Sequence, residues 1–186
     1  MSDRPLPMPT DDTRYMRVEY ERRFLVRATS DWPAAAYAVS RRIEDTYLHG
    51  TRMRLRVVTD ATTRNRTLKL TKKADSPSPY FRTISRILLS DDEHRLFDAL
   101  SGDRLTKTRF HVTHLDRDFA VDVFDQPLDG LILCEVEALS LDDLMQAQPP
   151  AFVHCEVTED AFFSGANLCR TDRHDLLAKL ASLGAC

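Results

Sequence analysis

Residues 18–26 read Val-Glu-Tyr-Glu-Arg-Arg-Phe-Leu-Val, and this stretch is the strongest indication of how the chain folds. In a β-strand, successive side chains point to opposite faces. Glu19, Glu21 and Arg23 would then share one face of such a strand. Two carboxylates on one face can bind a hard divalent cation such as Mg²⁺ or Mn²⁺, and the further partner of that cation would be an anion.

The composition predicts one globular domain, because 186 residues with 42% hydrophobic residues are enough for a core. We place this domain at 14–186, after a disordered leader at 1–13. The net charge of -3 gives no general attraction to nucleic acid or to an anionic membrane, so neither is an expected partner. The sequence lacks a transmembrane run and a signal peptide, which predicts a cytoplasmic protein. A homodimer is compatible with the sequence.

Hydrophobic alternation predicts about eight strands and few helices. The predicted strands are Tyr15–Val26, Ile43–His49, Arg52–Val58, Thr67–Lys73, Phe81–Leu89, Leu105–Leu115, Phe119–Phe124 and Leu131–Leu139. The predicted helices are Asp31–Tyr37, Ser90–Leu100, Leu141–Gln148, Glu159–Ala166 and Arg173–Leu183. This pattern favours an α+β fold, in which an eight-stranded antiparallel β-barrel is flanked by helices and followed by a C-terminal helix.

Charged residues recur on one face of the predicted strands. The residues of this parity are Glu19, Glu21 and Arg23; Arg52, Arg54 and Arg56; Lys69 and Lys73; Lys107, Arg109 and His111; Asp122; and Glu135 and Glu137. A half-exposed strand explains any one group, but their recurrence favours a barrel with a charged interior. Two like charges about 6 Å apart repel by about 2.8 kcal/mol at an effective dielectric near 20, so the cations need a counter-charge. A bound polyanion would provide it.

Two of these strands carry a Glu-x-Glu pair, at Glu19/Glu21 and at Glu135/Glu137. If the two strands face each other across the interior, their carboxylates form an all-oxygen site for one or two Mg²⁺ or Mn²⁺ ions. The surrounding cations would hold phosphate oxygens, Arg through a two-pronged contact and Lys as a point charge.

The ordered motifs resemble the CYTH, or triphosphate tunnel metalloenzyme, superfamily over nearly the whole chain. The matching segments are Glu19-Tyr20-Glu21-Arg22-Arg23 for Glu-x-Glu-x-Lys, Arg54-Leu55-Arg56 for Arg-x-Arg, Thr71-Lys72-Lys73 for Thr-x-Lys, Lys107-Thr108-Arg109 for Lys-x-Arg, and Asp122-Val123-Phe124 with Glu135-Val136-Glu137. The resemblance implies an eight-stranded antiparallel tunnel, a divalent metal held by Glu residues, and hydrolysis or cyclisation of a triphosphate.

On this resemblance we predict a metal-dependent triphosphatase, a phosphoanhydride hydrolase that acts on inorganic triphosphate or a related short polyphosphate. The predicted ligands of Mg²⁺ or Mn²⁺ are Glu19, Glu21, Glu135 and Glu137, of which Glu19, Glu21 and Glu137 are also the predicted catalytic residues. The predicted phosphate-binding residues are Arg23, Arg54, Arg56, Lys69, Lys73, Arg82, Lys107 and Arg109. The alternatives are an adenylyl cyclase, a nucleoside or thiamine triphosphatase, and a non-catalytic polyphosphate or nucleotide binder.

The chain departs from the superfamily pattern at two places. Arg23 stands where the first motif has Lys, which keeps the charge but changes the geometry of the group. Ile84 and Arg86 stand where the strand after the Pro-containing loop usually has Glu-x-Glu. The second departure would remove one metal position and make the interior more cationic.

Overall fold

The computed structural model describes residues 15–27, 32 and 40–185. The strands in these ranges are β1 (Met16–Val26), β2 (Ser40–Leu48), β3 (Met53–Asp60), β4 (Arg66–Lys73), β5 (Phe81–Leu88), β6 (Gly102–His114), β7 (Arg117–Phe124), β8 (Ile132–Ala138) and β9 (Val153–Glu156). The α-helices are α1 (Asp91–Asp98), α2 (Leu141–Met145), α3 (Gly165–Leu168) and α4 (Arg173–Ser182), and a 3₁₀ turn spans Ala161–Phe163.

Eight antiparallel strands close into a barrel in the order β5-β4-β3-β2-β6-β7-β8-β1, which confirms the predicted fold. β1 closes the barrel, because its first part pairs with β5 and its second part pairs with β8. The end of β1 also pairs with β9, a ninth strand that the sequence analysis missed. β9 has 4 residues, too few to give a clear alternation.

The two ends of the barrel differ. The β3–β4 and β6–β7 turns lie at one end, which we call the hairpin end, and the segment 161–168 covers the other, which we call the helix end. At the helix end, the inward-facing Leu105 and Leu133 pack with Phe163 and Leu168, and all four side chains are buried. Burying each of these side chains stabilises the fold by about 1.5–3 kcal/mol. These apolar side chains line one side of the charged cavity inside the barrel.

The outer faces of the strands form a second core. Phe24, Phe119 and Val136 point away from the tunnel and pack with Leu144 of α2. On the opposite side, Phe97 of α1 packs against a smaller buried cluster. The apolar faces of the strands thus lie under the helices, as the sequence pattern predicts.

The predicted helices agree with the structure in part. α1 begins at the predicted cap, where Ser90 and Glu93 form a reciprocal capping box. The predicted helix Glu159–Ala166 is wrong as one unit, because Ser164 has extended backbone angles and separates the 3₁₀ turn from α3. The predicted leader at 1–13 and, apart from Trp32, the predicted helix Asp31–Tyr37 lie outside the described residues. Among the described residues, no helix is long and apolar enough to cross a membrane.

Candidate active site in the barrel tunnel

A cavity of about 160 Å³ inside the barrel is lined mainly by charged side chains. The basic residues are Arg23, Arg54, Arg56, Lys69, Lys73, Arg86, Lys107 and Arg109, and the acidic residues are Glu19, Glu21, Glu135 and Glu137. This set holds all four predicted metal ligands and every predicted phosphate-binding residue except Arg82. Arg82 instead lines an adjoining cavity of about 260 Å³, together with Tyr80 and Phe81. Arg52, which shares the parity of Arg54, precedes β3 and pairs with the exposed Asp75.

The two Glu-x-Glu strands, β1 and β8, are neighbours in the barrel and do not form opposite walls. Their register sets Glu21 beside Glu137 and Arg23 beside Glu135. Arg23 donates a hydrogen bond to Glu135 at 3.1 Å and another to Glu21. The expectation that these strands face each other is therefore wrong, because β1 closes the sheet directly onto β8. The carboxylates form one continuous patch on a single wall.

Glu135 is held by cations on both sides. Besides Arg23, it accepts a hydrogen bond from Arg109 Nη2 at 2.6 Å. Arg109 also donates two hydrogen bonds of 2.7 Å to the fully buried Asp122, which pairs with Lys107 as well. Although burial acts in the opposite direction, Lys107, Arg109 and Arg23 hold the pKa of Glu135 well below its ordinary value. Glu135 is therefore ionised and engaged with basic side chains of the tunnel itself.

Asp45 on β2 provides an internal counter-charge that the sequence analysis missed. It accepts hydrogen bonds from Arg56 at 2.6 and 2.7 Å and lies 3.5 Å from Arg54 Nε, with only 2% of its surface exposed. Burial opposes ionisation, but the two guanidinium groups keep the pKa of Asp45 below its ordinary value. The expectation that a bound polyanion must provide all of the counter-charge is therefore wrong. Asp45, Asp122 and Glu135 already neutralise part of the tunnel.

Glu19 contacts basic residues from β4 and β5. Lys73 Nζ lies 3.5 Å from its carboxylate, and Arg86 Nη2 donates a hydrogen bond to it at 3.2 Å. These two cations lower the pKa of Glu19 although burial acts in the opposite direction. Arg86 and the fully buried Ile84 occupy the strand on which the superfamily pattern has carboxylates. Arg86 thus uses one of the oxygen atoms that a metal ion would otherwise contact.

Glu137 lies nearer the hairpin end, and within the described ranges it has no ion pair. Partial burial and the neighbouring carboxylates of Glu19 and Glu21 raise its pKa above the ordinary value. Carboxylates crowded without a cation repel one another. This corner of the tunnel is therefore where an added cation would relieve repulsion.

At the helix end of the tunnel, α3 and β2 make a tight contact. Gly165 lies against the side chain of Tyr47, and a Cβ atom at this position would overlap the tyrosine hydroxyl. Tyr47 also lines the tunnel, where it lies beside Arg54. Only glycine allows α3 to approach the tunnel this closely.

Comparison with known proteins gives no match to a protein-family model or to a curated protein. Solved structures do match. A structure of the inorganic triphosphatase NE1496 is 28% identical, with a TM-score of 0.54, and the alignment covers 82% of this chain and 95% of that one. A second structure of NE1496, described as a hypothetical protein, is also 28% identical with a TM-score of 0.55 over 83% and 99% of the two chains. These matches are consistent with the CYTH, or triphosphate tunnel metalloenzyme, superfamily, which the sequence motifs resemble.

The donor set of this tunnel protein suits a hard divalent cation. No group of three or more His, Cys, Asp or Glu residues is in place as a ready metal site in the described part of the chain. Even so, Glu21 and Glu137 are cross-strand partners, and burial together with the nearby carboxylates of Glu19 and Glu21 raises the pKa of Glu137. Oxygen ligands of this kind are those that Mg²⁺ and Mn²⁺ prefer. Glu137 is the best placed of the four predicted ligands, because Glu19, Glu21 and Glu135 already bind basic side chains.

Proposed function

We propose that this protein hydrolyses inorganic triphosphate or a related short polyphosphate with Mg²⁺ or Mn²⁺. The observation that carries the proposal is a tunnel of about 160 Å³ in which eight basic side chains surround a patch of four carboxylates. Such a site matches a small polyanion together with a cation. The 28% identity to the inorganic triphosphatase NE1496 over most of both chains supports the same activity.

The size of the tunnel favours an inorganic phosphate chain over a nucleotide. Pockets for organic ligands usually have volumes of about 300–1,000 Å³, and the tunnel is smaller than this range. An organic group attached to the phosphates would have to lie in the adjoining cavity beside Tyr80 and Arg82. Nucleoside and thiamine triphosphates are therefore expected to be poorer substrates than triphosphate itself.

The basic residues bind the phosphate chain through its non-bridging oxygens and fix its orientation. Arg23, Arg54, Arg56 and Arg109 offer planar two-pronged contacts, whereas Lys73 and Lys107 act as point charges. Most of these side chains are already positioned by Asp45, Asp122 or Glu135, so little reorganisation is needed when the substrate binds. Preorganised charge of this kind stabilises the transition state of phosphoryl transfer.

In the reaction, a water oxygen attacks the terminal phosphorus, and the bridging bond to the leaving phosphate breaks. The water proton passes to a carboxylate of the Glu19, Glu21 and Glu137 patch, and the guanidinium groups stabilise the charge on the leaving oxygen. The carboxylates would also hold Mg²⁺ or Mn²⁺, which when bound neutralises negative charge and increases the acidity of water. The products are orthophosphate and a phosphate chain that is one unit shorter.

Phosphate release tests the proposal. The substrates are triphosphate, ATP, thiamine triphosphate and a longer polyphosphate, each with Mg²⁺, with Mn²⁺ and with a chelator. We expect triphosphate turnover only with metal, and a loss of at least about 100-fold in Glu21→Gln. Glu44→Gln is the matched control, because Glu44 is an exposed residue of β2 with the parity opposite to Asp45. Full activity of Glu21→Gln, or equal turnover with chelator, would refute the proposal.

The hydrogen bond from Arg86 to Glu19 favours one alternative, a non-catalytic binder of polyphosphate. In that case Arg86 takes the place of a cation and the tunnel holds its ligand without cleaving it. Tight triphosphate binding without phosphate release under any metal condition would select this function. A homodimer and the absence of a nucleic-acid partner stay predictions.

A further inference from the structure

Thr71 is a buried residue of β4 whose hydroxyl group lacks a partner. The strand register places it between Arg54 on β3 and Arg86 on β5, and only 1% of its surface is exposed. The Thr71 Oγ1, Arg54 Nε and Arg86 Nε atoms are all buried without a hydrogen-bond partner in the described part of the protein. Three unsatisfied donors in one cross-strand row are unusual, because buried polar groups are nearly always paired. The row therefore offers three donors to an acceptor from a ligand.

The charge around this row requires an anionic acceptor. Lys69 lies on the same strand, two residues nearer the hairpin end, and faces the same side as Thr71. Burial and the cations Arg86, Arg56 and Arg41 lower the pKa of Lys69, and within the described ranges neither Lys69 nor Arg41 has an ion-pair partner. An anion among these groups would remove the repulsion between them.

The position of the row distinguishes it from the better-neutralised part of the tunnel. Arg23, Arg56, Lys107 and Arg109 each contact a carboxylate at hydrogen-bond distance. The donors of the Thr71 row remain unsatisfied, and the cationic lining continues from them through Lys69 towards the hairpin end. The two groups adjoin, because Arg56 of the first group is the register partner of Lys69, and Arg54 is that of Thr71. A phosphate chain bound along the first group and Arg54 would place an additional phosphate next to Thr71 and Arg86.

We propose that Thr71, Arg86 and Lys69 form an additional phosphate subsite, and that the preferred substrate is a linear polyphosphate with more than three phosphates. The inference rests on the proposed function, because the additional phosphate is counted from a triphosphate bound in the tunnel. Thr71 Oγ1 and Arg86 Nε donate hydrogen bonds to the non-bridging oxygens of this phosphate, and Lys69 balances its charge. Thr71 and Arg86 then determine selectivity for chain length.

Calorimetric titration with triphosphate and with tetraphosphate, both in the presence of a chelator, tests the subsite without turnover. We expect the wild-type protein to bind tetraphosphate about tenfold more tightly than triphosphate, the effect of about one hydrogen bond to a charged group. Thr71→Val keeps the shape of the residue and should abolish this preference. Its thermal midpoint should not fall, because the Thr71 hydroxyl makes no hydrogen bond within the described structure.

Thr108→Val is the matched control, because Thr108 lies on β6 with the parity opposite to the tunnel-lining Lys107 and Arg109. It should retain the wild-type preference for tetraphosphate. Arg86→Gln is a second test variant with the same expected loss of preference if Thr71→Val does not fold. Equal affinity for the two ligands in the wild type, or a preference that survives in the test variant, would overturn the subsite.

Phosphate release with Mg²⁺ or Mn²⁺ separates this inference from the proposed function. Triphosphate hydrolysis without a tetraphosphate preference would overturn the subsite alone. A tetraphosphate preference that disappears in Thr71→Val, without hydrolysis of any polyphosphate, would establish the subsite and overturn the hydrolase.

Discussion

Replacing Asp45 with Asn should strongly destabilise the barrel, because it removes a buried negative charge that two guanidinium groups share. Arg56 bonds to this carboxylate at 2.6 and 2.7 Å, and Arg54 Nε lies 3.5 Å away. At an effective dielectric near 20, two opposite charges about 4 Å apart attract by about 4 kcal/mol. Asn keeps the shape of the residue but leaves Arg54 and Arg56 buried without this counter-charge.

Removing one partner of a buried ion pair typically costs about 3–5 kcal/mol. In a protein of this size each kcal/mol lowers the thermal midpoint by about 2–4 °C, so we expect a decrease of about 6–20 °C. Differential scanning calorimetry measures this change. Asp98→Asn is the control, because Asp98 is 45% exposed and its pair with Arg104 has a distance of 3.5 Å, so its midpoint should hardly change.

Triphosphate should raise the thermal midpoint of Asp45→Asn unusually strongly, since the ligand replaces the missing negative charge. A ligand at about 100 times its Kd stabilises a protein by about 2.7 kcal/mol, and saturating triphosphate should restore at least this much to Asp45→Asn. A midpoint within about 2 °C of the wild type in the absence of ligand would refute the reasoning. It would mean that Arg54 and Arg56 do not depend on Asp45.

Two further predictions concern the helix end of the tunnel and acid stability. Gly165→Ala should lower the free energy of unfolding by about 1–3 kcal/mol in urea denaturation, because the added methyl group overlaps the Tyr47 hydroxyl; an unchanged unfolding midpoint would contradict the contact. The pKa values of Glu19 and Glu135 are below the ordinary 4.5 in the folded state, so the stability that they provide is present above that pH and is lost as the pH falls through their folded values. Thermal unfolding followed from neutral pH to below about pH 4.5 should show this loss, and a constant midpoint would contradict it.

The sequence predicted the barrel and most of its charged interior, because alternation reports directly which side chains share a face of a strand. It could not show which strands are adjacent, so it leaves open that the β1 and β8 carboxylates face each other across the interior. Asp45 was missed because β2 alternates ambiguously: Ile43 and Leu48 are both buried although they have opposite parity. The shared parity of Asp45 and Tyr47 is the one signal that would have placed Asp45 inside the barrel.

The sequence also could not show that the Thr71 hydroxyl lacks a hydrogen-bond partner. Thr71 belongs to a motif that the resemblance identified, but a motif does not show which donors remain unsatisfied after the neighbouring strands have paired. That information depends on the register of three strands at once, β3, β4 and β5. Arg86 was noticed only as a departure from the superfamily pattern, and its contact with Glu19 required the closure of β5 onto β1.

The pairing of β1 with β5, β8 and β9 has a consequence for how the protein is made. The partners of this strand lie at 81–85, 132–138 and 153–156, so its contacts span most of the chain. Such distant pairings form slowly, because a long loop must close before any contact is gained. During synthesis β1 leaves the ribosome early, and its strand edges stay exposed until β8 and β9 have emerged. The nascent chain should therefore be most prone to aggregation and most dependent on chaperones shortly before its last strands are translated.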